Sequence, residues 1–212
     1  GRRPKIATFP KGSVPDTVLR YWLDERLGIG SDAVEIVAMG ADRVQQALLA
    51  GAVDAASTLE PILSTVTERL DDAQIVAHAS DMLPGQPGAV LAARESLLEQ
   101  RPDAVSTLLE LHLRATHALV DTPQQVAPSV REFVGKRLVP LETVEAALSS
   151  PFANYGADPH AIVEGTRTMH DFQLANGTLK QGLDIDTLFD TRWYDDLTAS
   201  ADADAEEGDT SP

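Results

Sequence analysis

The first third of the chain alternates β-type and helical hydrophobic patterns, and this alternation constrains the fold more than any other feature. The β-type runs are short and bounded by turn residues, at 5–9, 34–39, 53–57 and 74–77. Helical periodicity fills the gaps between them, at 14–27, 42–50 and 59–70. Because parallel neighbours cannot be joined by a tight hairpin, strands separated by single helices predict a parallel sheet with crossover helices. We therefore expect an α/β lobe over residues 1–83.

The rest of the chain is mainly helical. Residues 81–88 are rich in Pro and Gly and predict a crossover between two lobes, followed by one more strand at 89–93. Helical patterns then occupy 102–120, 123–134, 141–148 and 160–175. One strand is too little sheet for a self-contained lobe, so we expect residues 84–198 to return into a first lobe that is incomplete. Residues 199–212 are acidic, lack large apolar groups and predict a disordered tail.

Charge and composition exclude several functions. The chain has 17 Lys+Arg against 33 Asp+Glu, a formal net charge of −16, which repels nucleic acid and anionic membrane surfaces, so we expect no nucleic-acid partner. The acid excess is spread along the chain and favours solubility in concentrated salt, as in halophilic proteins, over a specific cationic partner. Cysteine is absent, which removes disulfides, thiolate metal sites and Cys nucleophiles.

Sequence motifs of catalysis are also missing. The five histidines never form an HExxH pattern: His78, His112, His117, His160 and His170. No Gly-x-Ser-x-Gly elbow occurs, and the Lys11-Gly12 order does not match a nucleotide-hydrolysing phosphate loop. We therefore expect a chain that is not an enzyme and that uses neither a metal nor a cofactor.

The turn between the first strand and the first helix is one candidate site. Ser13 is placed to cap the helix, and Gly12 lets a ligand approach the backbone. A helix start favours negative or hydrogen-bond-accepting groups. The same residues also fit a plain helix cap without a ligand, and both interpretations remain open.

Two further strand ends are expected at the same edge, because ligands of open α/β sheets bind outside the carboxyl ends of the strands. These are Met39-Gly40 and the Ser57-Thr58 step that leads to Glu60. The Glu60 carboxylate can accept a hydrogen bond from a ligand or complement the helix dipole, and Met39 and Tyr155 can supply cleft surface or core. The candidate ligand-binding residues are Gly12, Ser13, Met39, Gly40, Thr58 and Glu60.

Three longer runs combine these pieces: KIATFPKGSVPDTVLRYWLDERLGI, VEIVAMGADRVQQALLAGAVDAASTLEPIL and VLAARESLLEQRPDAVSTLLELHLRATHALV. In the third run, Pro-Asp opens a long helix. Taken together, these runs resemble the SsuA/THI5-like solute-binding proteins of ABC importers: the first two resemble their second lobe, and the third resembles the return into their first lobe. The family's first-lobe N-terminal strands have no counterpart before Gly1, so we expect that lobe to be incomplete.

The resemblance implies a fold of the periplasmic-binding-protein type II, with two lobes that close on a small-molecule ligand. It also implies docking on an ABC permease and an extracytoplasmic location, with a tether outside this chain. It supports the six candidate residues as cleft residues but leaves the ligand open: a helix start suits sulfonate, nitrate or phosphate, whereas Glu60 suits an amine or a pyrimidine ring. Two alternatives are a pyrimidine synthase on the same scaffold and a ligand-sensing domain.

Overall fold

The computed structural model describes residues 1–135 and 139–199 and confirms a parallel α/β arrangement in the first third of the chain. The strands are β1 (Lys5–Thr8), β2 (Glu35–Ala38) and β3 (Ala55–Ala56). They form one parallel sheet in the order β2-β1-β3. The register pairs Ile6 with Ile36 on one side and with Ala55 on the other.

Single helices follow each strand, as the sequence predicts: α1 (Val14–Tyr21), α2 (Ala41–Leu49) and α3 (Ile62–Arg69). A π-helical stretch, Trp22–Arg26, continues α1. The chain moves from β1 to β2 on one side and then to β3 on the other. Because crossovers between parallel strands are right-handed, this reversal places α1 and α2 on opposite faces of the sheet.

The larger core lies against α1. Val18, Leu19 and Leu23 are buried there beside Ile6 and Ile36 of the sheet. The same cluster includes Met82 and Leu83, at the end of α4 (Ala79–Met82), and Met169 of α9 (Val163–Ala175). The predicted crossover is therefore partly helical, and apolar side chains from later in the chain complete the core of the first third.

Two predicted strands are wrong. Residues 74–77 and 89–93 are outside regular secondary structure, and Val76 and Val90 are 84% and 61% exposed. Both segments have β-type side chains, but a strand forms only when its backbone groups find a partner. Within the described ranges neither segment pairs with the sheet, which contains only β1, β2 and β3.

The remaining helices agree well with the periodicity of the sequence. They are α5 (Glu95–Gln100), α6 (Pro102–Asp121), α7 (Pro123–Val134), α8 (Leu141–Leu148), α9 and α10 (Ile185–Leu188). A short 3-10 turn, Pro159–Ile162, precedes α9. After the end of α9, Gly177 has a φ of 72°, as expected for a helix that ends in the left-handed conformation. A second cluster joins α7 to α8 through Ala127, Val144 and Leu148.

The predicted division at residue 83 remains a prediction. Of the expected disordered tail, residue 199 is helical, together with residues 192–198, and residues 200–212 lie outside the described residues. Across the described ranges, no helix has both the length and the apolar character that crossing a bilayer requires.

Candidate ligand-binding site

The carboxyl ends of the three strands meet at one edge of the sheet. The Met39 amide donates to the carbonyl of Thr8 at 2.8 Å, and the Ser57 amide donates to the carbonyl of Ala7 at 2.9 Å. The segments that follow β2 and β3 therefore leave the sheet on either side of the end of β1. The structure thus brings the three loops that contain the predicted site residues to the same edge.

The strand order creates a crevice between β1 and β3. Helix α1, which follows β1, lies on one face of the sheet, whereas α3, which follows β3, packs against α2 on the other face, and such a switch point is where open α/β sheets bind their ligands. The Ser57 hydroxyl spans the crevice and donates to the carbonyl of Pro15 at 2.9 Å. The sequence analysis named Ser57 as part of a strand end at this edge but did not include it among the candidate ligand-binding residues.

The turn with Gly12 and Ser13 is a closed helix cap. Ser13 Oγ accepts a long hydrogen bond, 3.5 Å, from the Asp16 amide, while the buried Asp16 carboxylate accepts from the Gly12 amide at 3.0 Å. Arg20 Nε donates to the same carboxylate at 2.9 Å. Gln173 of α9 donates to the Gly12 carbonyl at 3.2 Å. Both backbone groups of Gly12 are therefore already used within the protein.

Two threonine hydroxyls beside the crevice are buried and unpaired. Thr8 is the last residue of β1 and is fully buried, and Thr58 is two residues beyond β3. In the described part of the chain, neither Oγ1 atom has a hydrogen-bond partner. Buried polar groups are nearly always paired, and an unpaired one costs about 1–3 kcal/mol. A ligand or a water molecule would complete their hydrogen bonding.

Met39 and Gly40 occupy the other side of the edge. Met39 is half-buried, and Gly40 is exposed and begins α2. The Gly40 carbonyl accepts from the amides of Arg43 and Val44, both at 3.0 Å. These two residues therefore lie at the rim of the strand edge, on the β2 side of the end of β1.

Glu60 lies between the end of β3 and the start of α3. Its Oε2 accepts from the Ser64 amide at 3.0 Å, in the first turn of α3. Burial, and after it the negative charge of Glu60, raises the pKa of Tyr155, which lies in the loop after α8. Near the other end of α3, Thr143 of α8 donates to Glu68 at 3.1 Å. The start of α8 therefore packs against the end of α3.

A groove of about 400 Å³ lies beside Tyr155, within the usual size range for small-molecule sites. Its wall combines apolar side chains with amides and hydroxyls: Leu119, Val120, Pro123, Gln124, Leu148, Ser149, Ser150, Ala153, Asn154 and Tyr155. Sequence reasoning named Tyr155 only as a possible apolar surface. No grouping of three or more His, Asp or Glu side chains suited to a metal ion occurs among residues 1–135 and 139–199.

Comparison with solved structures supports the fold. The chain is similar to the ligand-binding component of an ABC-type import system from Staphylococcus aureus, crystallised with zinc bound, with a TM-score of 0.71 and 16% sequence identity. The match covers 92% of this chain, which spans 64% of the length of that protein. The similarity confirms the periplasmic-binding-protein type of fold that the sequence predicts.

The family assignment rests on a separate comparison. Among curated proteins, none matches this chain. The family model described as NMT1-like matches residues 1–131, which is more than half of the chain and includes all three strands and the six predicted site residues. The match also confirms the resemblance to SsuA/THI5-type proteins. The chain therefore belongs to the NMT1-like family.

Proposed function

We propose that this chain is the solute-binding part of an ABC importer and that it holds a small molecule at the crevice between β1 and β3. The observation that carries the proposal is the strand order β2-β1-β3, which places a switch point beside two buried, unpaired threonine hydroxyls. The import role of the structurally similar Staphylococcus aureus protein supports it.

The proposed cleft residues have different roles. Thr58 offers a hydroxyl without a partner in the described structure, and Glu60 offers a carboxylate at the start of α3. Met39 and Gly40 form the rim beside β2. Gly12 and Ser13 shape the turn before α1, and the contacts of the Gly12 backbone make that turn rigid rather than directly ligating.

The proposal includes a partner and a location. A protein of this kind delivers its ligand to a membrane permease and works outside the cytoplasm, tethered through a segment outside this chain. We further propose, from the net charge of −16, that the protein works in concentrated salt, because salt screens the repulsion between its acidic side chains.

A thermal-shift panel in concentrated salt tests ligand binding. The panel includes sulfonates, nitrate, amines and thiamine precursors, and a ligand at 100 times its Kd stabilises the protein by about 2.7 kcal/mol. We expect at least one compound to raise Tm without being converted. If no compound in the panel raises Tm, the proposed function is wrong.

A pair of threonine variants locates the binding site. Thr58→Val removes an unpaired buried hydroxyl, so we expect an unchanged or higher Tm without ligand and a smaller ligand-induced shift. Thr67→Val is the control, because the Thr67 hydroxyl is exposed and donates to the Leu63 carbonyl within α3. An unchanged shift in Thr58→Val would place the ligand elsewhere.

One contact keeps the enzyme alternative testable. The ring of His78 packs against the ring of Phe152, with 4.3 Å between the ring centroids. Phe152 lies three residues before Tyr155 in the chain. A pyrimidine synthase that consumes a histidine would therefore have an imidazole near the groove. Incubation of the protein with candidate cofactors, followed by mass spectrometry, would reveal product formation that His78→Asn abolishes. We expect no product.

A further inference from the structure

A pair of glycines holds the crossover, residues 81–88, against helix α9. Gly165 is buried in the first turn of α9, and Gly85 of the crossover lies directly against it. A methyl group on Gly165 would overlap the carbonyl group of Gly85 and would lie 2.6 Å from the amide nitrogen of Gln86. These are backbone atoms, which cannot rotate away as the end of a flexible side chain can. The crossover can therefore lie this close to α9 only because residue 165 is glycine.

The other member of the pair is constrained as well. Gly85 has a φ of 66°, in the left-handed region that residues with a side chain rarely adopt. A methyl group on Gly85 would lie 3.0 Å from the carbonyl oxygen of Ala161, in the 3-10 turn before α9. The close approach of the two backbones thus depends on glycine on both sides.

Apolar side chains hold the same part of the crossover. Met82 and Leu83 are buried in the larger core, in the cluster that also contains Met169 of α9. Met169 follows Gly165 by four residues, so the two lie on one face of the helix. That face of α9 therefore meets the crossover at the glycine pair and again at this cluster.

The chain directly after the crossover has no such support. Residues 88–97 are all exposed, and in the described part of the chain no backbone–backbone hydrogen bond involves residues 88–93. Helix α5 then packs on α6, whereas α4 and α9 both pack on α1. The crossover is thus packed on the body formed by α1, α4 and α9, and the chain leaves this body through an exposed, unpaired segment.

From these contacts we infer that the Gly85–Gly165 pair is a clasp that fixes the crossover, and that the chain bends beyond the clasp, at residues 88–94. The clasp keeps residues 82–86 on the body formed by α1, α4 and α9. The bend lets α5 and α6 change their orientation relative to that body. In a protein that closes on a solute, the clasp decides which part of the crossover moves. The inference holds whether or not the chain binds a solute, and all its tests use the protein without ligand.

Hydrogen exchange in the unsubstituted protein distinguishes the clasp from the bend. The amides of Met82, Leu83 and Gln86 all donate to backbone carbonyls, and two of these side chains are buried. We therefore expect exchange in residues 82–86 to be at least about tenfold slower than in residues 88–94, measured by mass spectrometry on the intact chain. Equal exchange rates in the two segments would overturn the inference.

The variant Gly165→Ala tests the clasp itself. Alanine favours a helix more than glycine does, so helix propensity alone predicts a higher Tm. Overlap with the Gly85 carbonyl predicts the opposite, and we expect Tm to fall by about 4–8 °C in scanning calorimetry. Exchange should become faster in residues 82–86 and stay unchanged in β1. An unchanged or higher Tm would overturn the clasp.

The matched control is Gly88→Ala, in the segment that we infer to bend. Among the described residues, no atom lies within 4 Å of a methyl group added at Gly88. This variant should therefore keep its Tm within about 2 °C of the unsubstituted protein. A loss as large as that of Gly165→Ala would mean that the whole crossover is tightly packed, which contradicts a bend at residues 88–94.

Spin labels test the bend without changing the clasp, and they serve if Gly165→Ala does not fold. The sequence has no cysteine, so two introduced cysteines can be labelled selectively. The label sites are exposed: Glu25 in the continuation of α1, Ala175 at the end of α9 and Glu110 in α6. Double electron–electron resonance should give a narrow distance distribution for Glu25→Cys with Ala175→Cys and a broad one for Glu25→Cys with Glu110→Cys. Equally narrow distributions would overturn the bend.

Discussion

Helices α1 and α6 both open with a Pro-Asp pair, yet their surroundings differ sharply. Five residues of the eight-residue α1 are buried, whereas the 20-residue α6 buries only Val105 and Thr116. The sheet explains the contrast, because α1 packs beside Ile6 and Ile36 in the larger core. An amphipathic pattern thus specifies a helix in both regions, but burial depends on the sheet against which the helix packs.

The same contrast explains the two segments that did not become strands. Residues 74–77 and 89–93 have the sequence of strands but no pairing in the described chain, and α5 and α6 follow the second of them with Leu97, Leu108 and Leu111 exposed. Stability should therefore be concentrated in the first third of the chain and in the segments that cover α1.

The largest expected effect is a core truncation on the buried side of this comparison. Leu83 is fully buried against α1, so Leu83→Ala should lower the free energy of unfolding by about 2–5 kcal/mol. Leu111→Ala removes the same atoms from a side chain of α6 that is 52% exposed and should cost less than about 1 kcal/mol. Urea denaturation followed by circular dichroism measures both; equal losses would contradict the comparison.

The two Pro-Asp helix starts provide a matched pair of variants. Asp16 is 1% exposed and pairs with Arg20 and the Gly12 amide, so Asp16→Ala should cost about 2 kcal/mol, below the range for a fully buried pair because Arg20 is partly exposed. Asp103→Ala changes an acid that is 78% exposed and should cost less than about 0.5 kcal/mol. If denaturation curves give similar losses of stability for the two variants, the interaction of each acid with its helix dipole matters more than the buried contacts of Asp16.

Salt should stabilise the whole chain moderately. A net charge of −16 opposes compaction, and raising the salt concentration to about 1 M shortens the Debye length to about 3 Å. We expect Tm to rise by a few degrees, measured by scanning calorimetry, with sodium chloride and potassium chloride giving the same increase. A falling Tm would mean that surface ion pairs matter more than net repulsion.

The smallest expected effect concerns the ion pair between Arg2 and Asp54, which is solvent-exposed. The Arg2 hydrogen bond lowers the pKa of Asp54 to about 2 from 3.8. Because the folded-state pKa is depressed, the stabilisation is present above pH 3.8 and is lost as the pH falls through about 2. In Asp54→Asn, the free energy of unfolding measured by urea denaturation should therefore fall less steeply than in the unsubstituted protein as the pH falls from 3.8 to about 2. The same pH dependence in both proteins would contradict a role for this ion pair.

Local patterns predicted the first third of the fold well. Strands and helices there follow hydrophobic periodicity, and the parallel pairing follows from their alternation. Residues 74–77 and 89–93 were mispredicted because pairing is a long-range property: the sequence of a segment does not reveal whether another backbone is available.

The candidate site was only partly predictable for the same reason. The strand ends could be found from the chain, but the pairing of Gln173 with Gly12 spans 161 residues, and that of Thr143 with Glu68 spans 75. The first contact closes the turn before α1, and the second holds α8 against α3. Neither contact leaves a local signal, so the packing of α9 and α8 on the first third of the chain emerged only from the structure.

Hydrogen exchange with mass spectrometry tests the central claim most directly, using the compound that raises Tm most in the thermal-shift panel. If the strand edge and the Tyr155 loop form one site, ligand should slow exchange in residues 57–64 and 149–155 together. Slower exchange in only one of these segments, or only along α5 and α6, would contradict a shared ligand site.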